Sequence, residues 1–203
     1  MTSPSPSLRP RRRPRQERSR DTVAVLMTAT ERVLVERGYD ALTTTRVAAV
    51  AGVSVGSLYQ YFPGREALVA ELLRRRAEAT AARLEASVAA TRGRPLGARL
   101  AALLDASISA KRAQPGLAAM LSSGRPELEM FESKRHVPRR ARALVVDLLA
   151  EHRPGLAPEA REAQAFAIVA AVEGVLTAAA REDRLDDPNL RAAVTVLTRG
   201  LSQ

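Results

Sequence analysis

The side chains with the clearest chemical character are hydroxyl, amide and aromatic groups between residues 43 and 61. Three consecutive threonines, Thr43, Thr44 and Thr45, precede one short apolar segment, and a second such segment follows. The outward side of the second segment carries Val55, Gly56, Ser57, Tyr59, Gln60 and Tyr61. These groups are small or form hydrogen bonds, and the carboxamide of Gln60 can bond an adenine edge in two places. The pattern suits a helix inserted between the two phosphate walls of a DNA groove.

No comparable set of residues suits catalysis or metal binding. The chain has no cysteine, which excludes thiolate catalysis, disulfides and cysteine-based metal sites. His136 and His152 lie sixteen residues apart, which is not the i, i+4 spacing of a helical metal pair. The sequence contains no glycine-rich phosphate loop and no G-x-S-x-G turn. We therefore expect no enzyme and no cofactor or metal.

Basic residues are concentrated at the start of the chain. The formal net charge is +10, and residues 1–65 hold 11 arginines against 5 acidic residues. Residues 1–18 mix prolines with arginines, including Arg11, Arg12, Arg13 and Arg15, and are too poor in apolar side chains to order alone. This disordered basic segment is either a solvated tail or an arm that orders on a phosphate backbone or in a minor groove.

The spacing of apolar residues from residue 21 onward predicts an all-α fold of about nine helices. A first amphipathic helix ends at Gly38, which can take the left-handed conformation. Thr43 or Thr44 caps a second helix that ends at Gly52, and Ser54 caps a third. These parts make a helix-turn-helix.

A fourth helix over 65–91, about 40 Å long at about 1.5 Å per residue, links two halves of the chain. Prolines and glycines then bracket further helices. We expect these over 96–114, 126–152, 158–183 and 188–201, with a short one after Pro115-Gly116.

A run of short motifs occurs in one register across the first half. They are Gly38-Tyr39, the threonine cap, Val47-Ala48, Ala51-Gly52-Val53-Ser54, Gly56, Leu58-Tyr59-Gln60-Tyr61-Phe62-Pro63 and Glu66-Ala67-Leu68. In this register, residues 19 to about 75 resemble the N-terminal domain of the TetR family of bacterial transcriptional regulators. The remainder resembles that family only in the number and length of its helices.

The resemblance implies that several of the matched residues bind double-stranded DNA. It places Thr43, Thr44 and Thr45 on backbone phosphates or the nearest base edge, with Arg46 beside them. After the cap residue Ser54, it gives base and phosphate contacts to Ser57, Tyr59, Gln60 and Tyr61, and brings Val55 and Gly56 to thymine methyls. It assigns a phosphate contact to Arg65, at a position where the family usually has lysine.

The second half of the chain contains a segment, Ala163–Ala180, that is apolar on nearly every side. Such a helix must be covered on more than one side, and a second copy of the chain is the simplest cover. Leu190, Val194, Leu197 and Leu201 follow at spacings of 4, 3 and 4, as in a coiled-coil seam. The small residues Ala170, Gly174 and Ala178 would permit the helix backbones of two subunits to approach closely. The resemblance likewise implies a four-helix homodimer interface; the alternative is an ordinary monomer core.

An effector pocket is the least constrained expectation. Met120, Phe131 and Phe166 are candidates to line it, although such residues are core fillers by default. Glu173, the single acid in the apolar run, either selects a ligand or pairs with an arginine across the interface. Because Glu173 splits that run and residues 1–20 lack an apolar signal region, we expect a cytoplasmic protein without a membrane span.

The sequence therefore predicts a basic arm at 1–18, a helix-turn-helix domain at 19–65, a linking helix at 66–92 and a ligand-binding and dimerisation domain at 93–203. We expect a homodimeric DNA-binding regulator, a repressor released from a near-palindromic operator by a small-molecule effector of unknown identity. An effector-independent architectural DNA-binding protein is the alternative, and a helical enzyme is disfavoured.

Overall fold

The computed structural model describes residues 17–113 and 133–201, and within them it contains helices and no strand. The eight helices are α1 (Glu17–Arg37), α2 (Thr44–Ala51), α3 (Val55–Tyr61), α4 (Arg65–Ala90), α5 (Leu96–Arg112), α6 (Ser133–His152), α7 (Pro158–Arg181) and α8 (Pro188–Leu201). The all-α prediction is confirmed. The short helix predicted after Pro115-Gly116 lies outside the described residues, as do Met120 and Phe131.

The chain forms two compact units, residues 1–76 and 77–203, and the boundary between them falls within α4. The first unit has a core in which Leu26, Leu42, Leu58, Phe62 and Leu68 are all fully buried. Each of α1, α3 and the start of α4 supplies at least one of these side chains, so the three elements share one core. The first helix is amphipathic as predicted, since Leu26, Ala29, Val33 and Leu34 are buried.

Helices α1 and α2 of the first unit end at the glycines that the sequence predicts. Gly38 has φ +77°, and its N–H donates to the carbonyl of Leu34 at 3.0 Å, which ends α1. Gly52 has φ +67°, and its N–H donates to the carbonyl of Ala49 at 3.2 Å. Residues other than glycine rarely adopt this left-handed conformation. The two glycines therefore end α1 and α2 at these positions.

The second unit contains two clusters of buried side chains. The larger cluster joins the end of α4 to α5, α6 and α7, and its members are Leu84, Leu100, Leu103, Leu144, Val145, Leu148, Leu149, Ala165, Ile168 and Val169. The smaller cluster joins α5, α7 and α8 through Leu104, Ile108, Leu176 and Val194. Helices α5 and α7 contribute to both clusters and are therefore the central helices of this unit.

Helix α7 is long and apolar enough to cross a membrane by length and composition, although only 22% of the apolar window is buried within the chain. This qualifies the expectation that Glu173 rules out such a segment. The carboxylate of Glu173 pairs with Lys111 of α5, Oε2 to Nζ, at 3.3 Å. The charge is thus matched inside the unit, whereas apolar side chains of α7 such as Phe166 are exposed.

Candidate nucleic-acid interface

Helix α2 is held at its start by a threonine. The side chain of Thr43 accepts a hydrogen bond from the backbone N–H of Arg46 at 3.2 Å, so Thr43, not Thr44, is the N-cap. Thr45 is exposed and Thr44 is half-buried. The three threonines stand at the N-terminal end of α2, with Thr43 and Thr45 exposed, and Val47 and Ala48 in the following turn are buried.

Helix α3 is capped and oriented in a similar way. Ser54 accepts from the backbone N–H of Ser57 at 3.0 Å, and the two serine hydroxyls lie 2.8 Å apart. Leu58 and Phe62 are fully buried, as the sequence predicts. Gln60 is exposed and has no hydrogen-bond partner among the described residues. Packing on one side of α3 therefore leaves the carboxamide free on the other.

The two tyrosines of α3 are tied to neighbouring helices through their hydroxyls. The hydroxyls of Tyr59 and Thr44 lie 3.3 Å apart, which links α3 to the start of α2. The hydroxyl of Tyr61 donates to Ser19 of α1 at 3.4 Å. Ser19 was not predicted as a site residue, because no local sequence spacing connects residues 42 positions apart. Both contacts restrict the rotamers of the two tyrosine side chains before any ligand arrives.

The remaining positions on this face present mainly backbone. Gly56 is exposed, and a Cβ built there would meet only the hydroxyl oxygen of Ser54, at 3.9 Å. Val55 is half-buried. A binding partner can thus approach the backbone of the first turn of α3 closely, as is required when a helix enters a DNA groove.

The two arginines of the predicted interface both have partners within the unit. Arg46 donates from Nη1 to the carbonyl of Ala41. Arg65 donates from Nε to Oε1 of Glu66 at 2.9 Å, and its guanidinium carbon lies 5.0 Å from the centre of the Tyr39 ring. The predicted arm residues Arg11, Arg12, Arg13 and Arg15 lie outside the described residues.

Two positions in the second unit differ from their predicted roles. Phe166, a candidate pocket residue, is 59% exposed and lies on the surface of α7. Val194, predicted for the dimer seam, is 1% exposed and packs in its own chain against Leu104, Ile108 and Leu176. Apolar spacing marks both residues as packing residues but does not indicate which surface covers them.

Other predicted interface residues face solvent. Ala170, Gly174 and Ala178 follow Phe166 at intervals of four along α7, and all are exposed. Leu197 of α8 is also exposed, and Leu190 is half-buried against the smaller core cluster. The side chain of Leu201 lies outside the described residues.

A cleft of about 500 Å³ lies in the second unit between α5 and the start of α8. Ile108, Leu185 and Pro188 give it an apolar surface, and Asp105 and Arg191 stand at its edge in a bidentate ion pair. Neither Phe166 nor Glu173 lines it. The sequence offered no signal for this cleft, because its walls come from segments far apart in the chain.

Comparisons with known proteins indicate the same family as the sequence motifs. Residues 26–72 match the family model for bacterial regulatory proteins of the tetR family. Residues 95–201 match a model for the tetracyclin repressor-like C-terminal domain. No curated protein matches the chain.

Several solved structures have a similar fold. A putative TetR-family regulator from Syntrophomonas wolfei is 14% identical, with a TM-score of 0.71, and the match covers 91% of this chain and 96% of that one. A putative regulator from Pseudomonas aeruginosa is 22% identical, with a TM-score of 0.70 and coverage of 92% and 90%. The regulator FadR from Bacillus subtilis, in complex with stearoyl-CoA, is 18% identical, with a TM-score of 0.65 and coverage of 89% and 97%.

Proposed function

The chain belongs to the TetR family of bacterial transcriptional regulators, and from this premise we propose that it is a homodimeric, cytoplasmic repressor. Residues 19–65 bind the operator, residues 66–92 form the linking helix, and residues 93–203 bind the effector and dimerise. The observation that carries the proposal is the two-sided character of α3. Its apolar side is fully buried at Leu58, while Tyr59 and Gln60 on the other side are exposed.

Recognition of DNA divides between two kinds of contact. The hydroxyls of Thr43, Thr44 and Thr45 and of Tyr59 contact backbone phosphates, which set the register of the protein on the duplex. Gln60 reads a base, because its carboxamide pairs with the N6 and N7 edge of adenine. Arg46 and Tyr61 are held by bonds inside the unit and act at the margin of this surface.

Dimerisation is supported by the apolar surface that a single chain leaves exposed. Phe166, Ala170, Gly174 and Ala178 form one stripe along α7, and a Cβ built at Gly174 would meet no atom within 4 Å. On α8, Val196 is 70% exposed. A second copy related by a twofold axis covers the same patch on both chains. The two copies of α3 then lie about 34–36 Å apart, so the operator is near-palindromic.

Control by a small molecule is assigned to the second unit. Effector binding there shifts α4, whose N-terminal turns belong to the DNA-binding unit, and so lowers affinity for the operator. By linkage, DNA lowers the affinity for the effector by the same factor. The stearoyl-CoA held by the FadR structure makes that compound the first candidate to test. We assign no reaction and no cofactor to the chain.

The test begins with selection of binding sites from a random duplex pool by the purified full-length protein. We expect a near-palindromic consensus, and Gln60→Ala should weaken binding to it by about 10- to 100-fold while the dimer persists. Arg32→Ala is the matched control, because Arg32 is exposed, is paired with Glu36 and lies on α1. Equal binding by Gln60→Ala and wild type would reject α3 as the reading helix.

The same assay separates the repressor from the architectural alternative. A repressor releases the selected duplex when a screened compound, stearoyl-CoA first, is added. An architectural protein that coats DNA would select no consensus sequence, and no added compound would release it from DNA.

A further inference from the structure

Arg65 occupies a position that its local electrostatics disfavour. It is the first residue of α4, a helix of 26 residues, and a helix N-terminus carries partial positive charge. A cation there is repelled by the helix, so an arginine at this point requires compensation. Residues that break a local rule in this way are often functional.

Neighbouring residues supply the compensation. Oε1 of Glu66 accepts from Nε of Arg65 at 2.9 Å, and the ring of Tyr39 lies 5.0 Å from the guanidinium carbon. The Glu66 hydrogen bond, aided by the negative charges of Glu66 and Asp40, raises the pKa of Arg65 against the opposing effect of burial. Tyr39 is 7% exposed, so its position is set by the core.

Gly64 completes the arrangement by leaving room for the carboxylate. A Cβ built at Gly64 would stand 3.2 Å from Oε2 of Glu66, which is a tight contact. A larger residue at 64 would therefore push the carboxylate that holds Arg65. The core ring, the carboxylate and the glycine together restrain a side chain that is otherwise long and mobile.

The restraint leaves part of the guanidinium free. The hydrogen bond to Glu66 uses Nε, and Nη1 and Nη2 of Arg65 have no partner among the described residues. The side chain is 39% exposed. A planar guanidinium that lies over a ring, and whose outer N–H groups are free, can donate to two oxygens of a phosphate.

We propose that Tyr39 and Glu66 are positioning residues that hold Arg65 as a preformed fork for one phosphate of the DNA backbone. The proposal rests on the DNA-binding function proposed above. It adds that the contact depends on a neutral aromatic ring that does not itself touch DNA. Ordering Arg65 in advance lowers the entropy lost when the phosphate binds.

The experiment measures affinity of the full-length protein for a labelled random-sequence duplex as a function of salt concentration. R65A should bind more weakly, with the slope of log K against log salt flattened by about 0.9 for each lost contact. R65K keeps the charge, so it should lower affinity with little change in slope. Y39L should lower affinity about two- to fivefold for each bound subunit, and Y39F, which keeps a ring, should restore most of the loss.

A double-mutant cycle separates positioning from a structural effect. In the R65A background, Y39L should cause no further loss, and the effect of E66Q should differ from its effect in the wild type. Additive losses would overturn the proposal, because the ring would then act through the fold. R65K bound as tightly as wild type would also overturn it, and this variant alters no core residue. R32A, which removes an exposed ion-paired arginine from α1, is the charge control.

The two proposals fail in different ways. A wild-type protein that does not bind the duplex refutes the DNA-binding function itself. A wild-type protein that binds, with R65A equal to it in affinity and slope, refutes only the role of the Tyr39 and Glu66 pair.

Discussion

Replacing Phe166 with serine tests whether α7 carries the dimer interface. Phe166 is 59% exposed in the single chain. Since a phenylalanine side chain offers about 150–250 Å² for burial, about 120 Å² of it is available to a second copy. At about 25 cal/mol per Å², covering that area contributes about 3 kcal/mol per subunit.

Serine retains part of the contact, so the expected loss of dimerisation free energy is about 2 kcal/mol per subunit. Because the dimer is twofold symmetric, the substitution is present in both subunits and the loss occurs twice. A loss of about 4 kcal/mol raises the dimer dissociation constant roughly a thousandfold. Sedimentation velocity over a range of protein concentrations measures this shift directly. The thermal unfolding temperature of the separated monomer should change little, because surface substitutions cost about 0.5 kcal/mol or less.

Val35→Ser is the matched control for this measurement. Val35 is 57% exposed on α1 of the other unit, so the substitution removes a comparable apolar surface outside the proposed interface. It should leave the dissociation constant unchanged. A Phe166→Ser protein that sediments like wild type at every concentration, or a wild type that is monomeric throughout, would refute the interface on α7.

Three further predictions concern the DNA-binding unit. Deleting residues 1–16 removes five arginines, so the slope of log K for DNA binding against log salt concentration should flatten by up to about 0.9 per lost phosphate contact. An unchanged slope would show that the arm does not bind DNA phosphates. Ser54→Ala removes the α3 cap and should destabilise the unit by about 1 kcal/mol in urea unfolding, whereas Ser54→Thr should keep most of the stability. Burial tends to raise the pKa of Glu71, but hydrogen bonds from Arg74 and Arg75 outweigh it and lower that pKa below 4.5. The contribution of Glu71 to stability is therefore present above pH 4.5 and is lost as the pH falls through the lower pKa of the folded state. Glu71→Gln should therefore make the free energy of unfolding less dependent on pH in the acid range. An unchanged pH dependence would show that the ion pairs of Glu71 with Arg74 and Arg75 do not contribute to stability.

Local signals allowed the first unit to be predicted in detail. Gly38 and Gly52 need positive φ, and Ser54 caps a helix through its own side chain. Each of these constraints acts within a few residues, so the sequence alone contains it. The burial of Leu58 and Phe62 follows from the same helix once its ends are known.

Contacts between segments that are distant in the chain could not be predicted from local sequence patterns. Val194 and Leu197 lie three residues apart on α8 and share one apolar pattern, but Val194 is buried in its own chain and Leu197 is exposed. Their difference depends on where α5 and α7 lie, which periodicity does not encode. The ion pair of Arg191 with Asp105, 86 positions apart, is of the same kind. The ring of Tyr39 beneath Arg65 also arises from tertiary packing.

The hydrogen bond between Tyr61 and Ser19 fixes the point from which the N-terminal segment starts. Ser19 lies in the first turns of α1, so the chain before Glu17 departs from the neighbourhood of the C-terminal end of α3. A stretch of 16 residues spans at most about 55 Å when fully extended, at about 3.3–3.6 Å per residue. On duplex DNA that length corresponds to about 16 base pairs at about 3.4 Å each. Residues 1–16 can therefore reach phosphates at most about 55 Å from Glu17, so any protection that these residues add beyond a half-site should lie within that distance.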